Sequence, residues 1–189
     1  MTAGNQFPIG LASLQAEAAK GAKLPPVEEW NPTRCGDIDI RIMRDGTWHH
    51  LGAPITRPEL VRLFSTVLRR EDDGFYLVTP VEKLRIVVED APFLAVLLDV
   101  EGKGRDQRLV FTTNVGDQVA ADADHPIRVE RDSQTGEPAP YLLVRARLEA
   151  RIARPVFYRL AELATESPAA PGMLGVWSAG QFFLLGPSA

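Results

Sequence analysis

The sequence predicts an α+β fold made of two similar β-β-α-β-β motifs, with a mostly antiparallel sheet and an additional N-terminal helix. The main observation is a repeat, because residues 55–63 and residues 152–160 share Ile, Arg, Pro, Arg and Leu at identical spacing. Each copy follows an apolar, strand-like run and precedes a helical pattern, and an aromatic strand follows at residues 75–77 or 182–184. We therefore expect a duplicated strand–helix–strand unit, with one amphipathic helix covering the sheet of each copy.

This repeat divides the chain into three predicted parts. Residues 1–30 form a helical arm and a linker, residues 31–100 form the first repeat with a following strand, and residues 101–189 form the second repeat. The chain has 189 residues, of which 45% are hydrophobic. It can therefore build one domain or two small ones around an apolar core.

The N-terminal part combines a helical pattern with a proline-rich stretch. Residues 9–20 are rich in alanine and carry apolar side chains at helical spacing, and Gly21 follows as a stop signal. Residues 23–32 contain paired prolines, which disfavour both a helix and a central strand. We expect an arm that packs on the body of the protein or on a neighbouring subunit.

The first motif begins with a predicted hairpin. Residues 37–43 alternate polar and apolar side chains, which is typical of a half-buried strand, and residues 47–51 return after an Asp-Gly turn signal. Further strands are predicted at residues 75–79 and 83–88.

The helix of the first motif is predicted to begin at Thr56. Thr56 and Glu59 fit a capping box, and Pro58 falls in the first turn, where a missing N–H costs no hydrogen bond. Apolar side chains continue at helical spacing to Leu68, and an Asp-Gly pair then marks the end of the helix.

The second motif has the same predicted order. Its elements are two strands, a helix and a closing hairpin, at residues 126–131, 141–148, 155–165, 173–178 and 181–185. Between the motifs, residues 93–100 and 108–114 are predicted to form a further hairpin, which a glycine-rich turn connects.

Composition and charge exclude several classes of protein. The net charge of −4 argues against a general nucleic-acid binder, which needs a strong basic field. No apolar run approaches the ~20 residues of a membrane-spanning helix, and the first residues do not resemble a secretory signal. A single cysteine, Cys35, suits a reducing compartment, so the cytoplasm is the expected location.

Four motifs carry a resemblance to a known family: DG-x-W, G-x-P-I-x-R, LVTPVEK and VEDAPF. Together with the second helix, they make the chain resemble a bacterial family catalogued as domain of unknown function 1285, over most of residues 25–170. The resemblance implies a bacterial cytosolic protein built from two similar α+β motifs. It implies no established reaction and no catalytic residues, and it suggests a role in signal transduction.

The histidines do not predict a metal site. His49 and His50 are adjacent on a predicted strand, so their side chains point to opposite faces and cannot both bind one ion. His125 lies in an apparent loop with Asp122 and Asp124, far along the chain from the other two. A polar hairpin face and a loop histidine explain the pattern better, and we expect neither a metal nor a cofactor.

Two turns with prolines carry charged side chains. Thr79, Glu82 and Lys83 precede the strand stretch at residues 84–88, and Glu89 and Asp90 follow it. The strand would separate the two groups by roughly 20 Å, so they could share a site only across repeats or subunits. Asp90 is alternatively a turn residue.

Arginines form a second group of candidates. Arg145 and Arg147, with Arg151, fall on one face of the predicted strand and could bind a phosphate or a nucleotide. Glu149 partly neutralises that face, which favours a solvated surface instead. Arg57 precedes a proline and would steer the turn from strand to helix.

These patterns leave three hypotheses about function. The first is a non-enzymatic ligand-binding or protein-interaction module whose partner is an unidentified small molecule, a protein, or a second copy of the chain in a homo-oligomer. The second is a small hydrolase-like enzyme with His50, Glu82, Glu89 and Asp90 as acid–base groups. The third is a structural oligomer subunit. The candidate ligand-binding residues are Trp48, His50, Arg57, Thr79, Glu82, Lys83, Glu89, Asp90, Arg145 and Arg147.

Overall fold

The structure is a computed structural model that describes residues 8 and 10, residues 24–132 and residues 135–188. The chain forms two units, Met1–Glu89 and Asp90–Ala189. The predicted division after residue 100 falls inside a strand of the second unit. The helix predicted over residues 9–20 lies outside the described residues except for Gly10. No helix in the described part of the chain is both long and apolar enough to cross a membrane.

The first unit is a six-stranded sheet with one α-helix. Its strands are β1 (Cys35–Ile42), β2 (Trp48–His50), β3 (Ala53–Pro54), β4 (Leu68–Glu71), β5 (Gly74–Val78) and β6 (Lys83–Val88). They lie in the order β3-β2-β1-β6-β5-β4, and helix α1 (Pro58–Thr66) connects β3 to β4. Strands β1 and β6 are parallel, and the other neighbours are antiparallel.

Alternation along the strands separates a core face from an outer face. On β1, Ile40 and Ile42 are buried and the residues between and before them are exposed or half-buried. Their partners on β2 are His50 and Trp48, so those side chains lie on the core face as well. Phe64 of α1 contacts this face, with its ring 6.4 Å from that of Trp48.

The second unit contains a six-stranded sheet, a helix and a three-stranded sheet. Its first sheet consists of β7 (Phe93–Glu101), β8 (Arg108–Thr113), β9 (Gln118–Ala120), β10 (Ile127–Arg131), β11 (Pro138–Arg145) and β12 (Leu148–Ile152), in the order β10-β11-β12-β7-β8-β9. Helix α2 (Arg154–Glu162) follows, and the smaller sheet consists of β13 (Thr165–Glu166), β14 (Met173–Ser178) and β15 (Gln181–Pro187). The strands predicted at residues 83–88 and 173–178 are thereby confirmed.

The two six-stranded sheets have the same topology. Numbered from the first strand of each sheet, both have the order 3-2-1-6-5-4, with strands 1 and 6 parallel. The repeated element is therefore β1–β6 matched with β7–β12. Helix α1 follows the third strand of its sheet, whereas α2 follows the sixth. The predicted match of residues 55–63 with residues 152–160 thus aligns helices that occupy different places in the two sheets.

The predicted α+β class is wrong, because the described chain is mostly β and its helices are too short to form a layer. Each α-helix has nine residues. A helix of that length spans roughly 13 Å, whereas six strands spaced about 4.8 Å apart extend over roughly 24 Å. One such helix cannot cover a whole sheet, so strands and loops complete each core.

Helix α1 is shorter than predicted at both ends. It begins at Pro58 with Arg57 as the N-cap residue, and no side chain caps it, so the capping box at Thr56 does not form. Leu68, predicted to continue the helix, begins β4 instead and pairs with Leu77. Strand pairing therefore overrides the helical pattern at this end.

The strand predicted over residues 141–148 exists as part of β11, but its predicted end is wrong. The chain turns at Ala146 and Arg147 between β11 and β12, and Ala146 has a φ of 46°. No glycine or proline marks this turn in the sequence, which is why the pattern resembled one continuous strand. Arg145 and Arg151 consequently lie on two different strands.

Two strand glycines provide a test of the packing in each unit. A Cβ atom on Gly175 would lie 2.4 Å from the Phe183 carbonyl oxygen and 2.6 Å from the Phe182 ring, whereas one on Gly36 would meet only Leu84 at 3.7 Å. Neither glycine has a positive φ. We expect Gly175→Ala to lower the free energy of unfolding by about 1–3 kcal/mol, as overpacking does. Gly36→Ala should change it by no more than about 0.5 kcal/mol, as most surface substitutions do. Denaturant unfolding of both variants measures this, and equal losses would contradict the packing.

Candidate functional site

Three long side chains form a row across β4, β5 and β6 on the outer face of the first sheet. Arg69 lies opposite Tyr76, and Tyr76 lies opposite Arg85. Residues that are directly opposite on neighbouring strands share a face and contact each other. Lys83 Nζ lies 4.7 Å from the centre of the Tyr76 ring, and the Arg85 guanidinium lies 6.0 Å from it. We call Arg69, Tyr76 and Arg85 the first charged row.

A carboxylate balances the basic groups at one end of this row. Glu71 accepts a hydrogen bond from Lys83 Nζ at 2.8 Å and another from Arg69 Nε at 3.1 Å. The hydrogen bond from Lys83 lowers the pKa of Glu71 below its ordinary value, although partial burial opposes the shift and Arg69 reinforces it. Lys83 therefore forms an ion pair with Glu71 within the fold.

The tyrosine hydroxyl binds a second carboxylate. Tyr76 donates a hydrogen bond to Asp73 Oδ2 at 2.8 Å, and Arg85 Nη2 donates to the Asp73 carbonyl oxygen at 2.5 Å. The hydrogen bond from Tyr76 lowers the pKa of Asp73. Acidic side chains therefore lie at both ends of the row, with Glu71 beside Arg69 and Asp73 beside Arg85.

The first charged row also holds the segment that precedes β1. Arg69 Nη1 donates to the carbonyl oxygens of Val27 and Trp30, at 3.2 and 2.7 Å. Val27 forms a small buried cluster with Tyr76 and Val78, and Trp30 packs against it. The buried guanidinium therefore ties the proline-rich linker to the sheet.

The second sheet carries an equivalent row on the equivalent strands. Arg128 on β10 lies opposite Tyr141 on β11, which lies opposite Arg151 on β12. The two guanidinium groups lie 4.3 and 5.2 Å from the centre of the Tyr141 ring. We call Arg128, Tyr141 and Arg151 the second charged row.

Asp90 has the role in the second row that Asp73 has in the first. Tyr141 donates to Asp90 Oδ1 at 2.7 Å, and Arg151 Nη1 donates to Asp90 Oδ2 at 2.9 Å. Burial, followed by the hydrogen bond to Asp90, raises the pKa of the Tyr141 hydroxyl. Ala91 packs with Tyr141, so the segment before β7 lies on this row. Asp90 is therefore a structural partner as well as a turn residue.

One charge is reversed between the two rows. Lys83 lies two residues before Arg85, and Glu149 lies two residues before Arg151. Glu149 accepts hydrogen bonds from Arg128 Nε and Nη2 at 2.6 and 2.7 Å, and these bonds raise the pKa of Arg128. Both rows therefore contain an ion pair at this position, Lys83 with Glu71 in the first and Glu149 with Arg128 in the second.

Sequence reasoning missed the charged rows, although a signal was present. Both edge strands contain Arg-x-Glu, at residues 69–71 and 128–130, and each is followed by a tyrosine and then an arginine. Two residues, 72–73, separate β4 from β5 along the chain, whereas six residues, 132–137, separate β10 from β11. This difference in length hides the match at any fixed spacing.

Other predicted site residues lie apart from the rows in the first unit. Trp48 and His50 are buried on the core face of β2, and Trp48 Nε1 has no hydrogen-bond partner among the described residues. Arg57 is exposed at the start of α1. Glu89 lies 3.6 Å from Arg41 and accepts a hydrogen bond from the Arg44 N–H at 3.1 Å.

The arginines of the alternative anion site do not share one strand face in the second unit. Arg145 Nη1 donates to Asp117 Oδ2 at 2.5 Å, and its guanidinium stacks on Phe93 at 4.8 Å. Arg147 is exposed in the turn between β11 and β12, while Arg151 belongs to the second charged row. The three arginines therefore have separate surroundings.

Thr79 and Glu82 form a buried turn between β5 and β6. Each is 1% exposed. The Thr79 hydroxyl oxygen accepts hydrogen bonds from the N–H groups of Val81 and Glu82, at 3.3 and 3.0 Å. Glu82 Oε1 accepts a hydrogen bond from the Gly10 N–H at 2.9 Å. The turn thus places a carboxylate against the main chain of the N-terminal segment.

The histidine in the second unit belongs to a local turn. Asp122 Oδ1 accepts hydrogen bonds from the main-chain N–H groups of His125 and Asp124, at 2.8 and 2.9 Å, and it lies 3.0 Å from His125 Nδ1. Within the described residues, no group of three or more His, Cys, Asp or Glu side chains is arranged to hold a metal ion.

Fold and site together define a class of mostly β proteins with two six-stranded sheets of the same topology, each of which carries a charged row centred on a tyrosine. Residues 25–91 match "Domain of unknown function (DUF1285), N-terminal domain", and residues 92–185 match "Protein of unknown function (DUF1285), C-terminal domain". The chain belongs to the DUF1285 family, as its motifs predicted.

Two solved structures are similar to this chain. A DUF1285 family protein from Silicibacter pomeroyi DSS-3 is 52% identical, with a TM-score of 0.84 over 96% of this chain and 97% of that one. A DUF1285 family protein from Shewanella baltica OS155 is 25% identical, with a TM-score of 0.51 over 66% of this chain and 91% of that one. No curated protein matches the chain.

The two tyrosines offer a matched test of the charged rows. The Asp90 side chain is 11% exposed and the Asp73 side chain is 63% exposed. We expect Tyr141→Phe to lower the free energy of unfolding by about 1.5–3 kcal/mol, because it removes a hydrogen bond to a buried charge. Tyr76→Phe should cost less than half as much, because water can replace the hydroxyl at Asp73. Equal losses in chemical denaturation would contradict this account.

The ion pair at Glu71 predicts a stability change in acid. Because the folded protein lowers the pKa of Glu71, the pair contributes stability above the ordinary glutamate pKa of about 4.3 and loses it as the pH falls through the folded value. We expect Glu71→Gln to lose less stability than the wild type between pH 7 and pH 3. Glu101→Gln, at an exposed pair with Arg108, serves as the control and should keep the wild-type slope. Denaturant midpoints at pH 7, 5 and 3 measure both, and a wild-type slope in Glu71→Gln would refute the prediction.

Proposed function

We propose that the protein is a non-enzymatic protein-interaction module of the cytoplasm, and that its partner binds the outer face of the β14–β15 hairpin. The observation that supports this is an aromatic and aliphatic surface on that hairpin. Trp177 lies opposite Phe182, and their rings make an edge contact at 5.0 Å. Leu184 lies next to them on the same face and is 45% exposed. We call Trp177, Phe182 and Leu184 the hairpin patch.

A basic side chain extends this surface. The guanidinium of Arg105 lies 4.3 Å from the centre of the Trp177 ring. Tryptophan and arginine are the residues that most often dominate binding energy at protein interfaces, with leucine and other neighbours excluding water around them. The composition of the hairpin patch therefore favours a protein partner over a small polar ligand.

The acid–base candidates support a binding role over a catalytic one. Glu82 binds the Gly10 N–H, Glu89 binds Arg41 and Arg44, and Asp90 binds Tyr141 and Arg151. His50 lies in the core of its sheet. A general acid or base must reach the proton of a substrate. Groups that are engaged within the fold are poorly suited to that role, so we place the hydrolase hypothesis second.

A regulatory role in signal transduction is the finer form of this proposal. In this role the protein would regulate a partner protein by binding it at the hairpin patch, without catalysing a reaction. A second copy of the chain is one partner of this kind, and assembly into a homo-oligomer through the hairpin patch belongs to the same proposal.

Leu184→Asp tests the hairpin patch, with Leu51→Asp as a matched control. Both leucines are exposed, and Leu51, at 70% exposure, lies in the first unit. Wild-type and variant proteins would be used to capture partners from a bacterial lysate, and each captured protein would be purified and titrated against all three. We expect Leu184→Asp to weaken binding at least tenfold, because it places an unpaired charge in an apolar contact beside Trp177, and Leu51→Asp to bind like the wild type.

Sedimentation of the same three proteins detects self-association. Equal binding and equal mass for the wild type and both variants would contradict the proposal, as would loss of binding in Leu51→Asp alone.

A further inference from the structure

A buried carboxylate in the first unit has a role that neither the charged rows nor the hairpin patch explains. Glu82 is 1% exposed. Glutamate side chains are almost never fully buried unless a partner compensates them. The neighbouring Lys83 does not provide this compensation, because its ammonium group lies 2.8 Å from Glu71.

The turn that carries Glu82 is held in place by its own hydrogen bonds. The Thr79 N–H donates to the Glu82 carbonyl oxygen at 2.9 Å, and the Thr79 hydroxyl accepts from the Glu82 N–H at 3.0 Å. The Lys83 N–H donates to the Arg34 carbonyl oxygen at 2.9 Å, which joins the turn to the segment before β1. The Thr79 side chain and the main chain of Glu82 are therefore fixed by the turn.

Gly10 binds the Glu82 carboxylate through its main chain, and the space for a side chain at this position is closed by Glu82 and Thr79. Its N–H donates to Glu82 Oε1 at 2.9 Å. A Cβ atom at this position would lie 2.6 Å from Glu82 Oε1, 2.6 Å from Thr79 Oγ1 and 2.9 Å from Glu82 Cγ. The side chain of Thr79 is fixed by the turn and that of Glu82 is buried, so neither can yield easily. The contact thus selects glycine.

We propose that Thr79 and Glu82 form a binding site for the main-chain amide of a glycine within a peptide, and that the chain's own N-terminal segment occupies it through Gly10. The ligand class follows from the donors and acceptors. The Glu82 carboxylate accepts the N–H group, and the lack of space beside Glu82 Oε1 and Thr79 Oγ1 rejects any side chain. A separate peptide with the sequence of the N-terminal segment should bind the site in a variant whose own Gly10 is replaced.

Substituting Gly10 in the full-length chain empties the site. Gly10→Val places a branched side chain where a single Cβ already meets two oxygens at 2.6 Å. The control is Gly4→Val, the same change six positions earlier in the sequence. The probe is a fluorescent peptide with the sequence of residues 1–20, and a second peptide carries Val in place of Gly10. Fluorescence anisotropy measures the binding of each peptide to each protein.

We expect the wild-type peptide to bind the Gly10→Val protein at least tenfold more tightly than it binds the wild-type or Gly4→Val protein. A tethered segment competes at an effective concentration of about millimolar, so the intact chain should exclude the peptide. The Val-containing peptide should not bind any of the proteins. Adding Glu82→Ala to Gly10→Val should abolish peptide binding, because the acceptor is gone.

The proposal is overturned if the wild-type peptide binds the three proteins equally or fails to bind the Gly10→Val protein. It is also overturned if both peptides bind alike, since glycine would then not be selected. Circular dichroism confirms that the variants fold. Should Gly10→Val unfold, Gly10→Ala answers the same question, because its methyl group meets the same oxygens. The result is independent of the hairpin patch, which lies in the other unit.

Discussion

In each sheet a tyrosine hydroxyl on a strand binds an aspartate outside the strands, in the β4–β5 turn or just before β7. Tyr76 with Asp73, and Tyr141 with Asp90, place an aromatic ring between basic side chains on the outer face of the sheet. The ring provides apolar area, while the hydroxyl and the guanidinium groups need acceptors, and the nearby carboxylates supply them. A face that would otherwise be solvated thereby holds the segment leading into the first strand, and the strand order of the sheet brings these groups together.

The two units use this arrangement in different surroundings. Asp90 is nearly buried and Asp73 is largely exposed, so the same hydrogen bond contributes differently to stability in the two sheets. Lys83 and Glu149 have opposite charges at equivalent positions, and each finds a partner of the other sign. The two sheets therefore share the pairing of opposite charges across strands, but they differ in which residue carries the positive charge and which the negative.

Charge and apolar surface are distributed in a way that suits a binding module. Most acidic and basic groups near the charged rows are paired within the fold, which leaves the hairpin patch as a surface of aromatic and aliphatic side chains beside one arginine. The buried turn at Thr79 and Glu82 adds a different kind of contact, in which main chain is recognised by side chains. These two features lie in separate units, so the two halves of the chain can serve separate contacts.

Local patterns in the sequence determined the strands at Lys83–Val88 and Met173–Ser178 and the presence of two helices that begin with a proline in their first turn. They also determined the family to which the chain belongs. All of these depend on alternation, turn residues and motifs, which are local signals. They also identified Glu82, Lys83 and Asp90 as notable, although without their partners. Tertiary structure alone decided that the chain is mostly β, that β1–β6 and β7–β12 are the two copies of the repeat, and that the charged rows form. The physical reason is that the register between strands brings Arg69 to Tyr76 and Arg128 to Tyr141 across turns of unequal length, and no fixed spacing along the chain records that register.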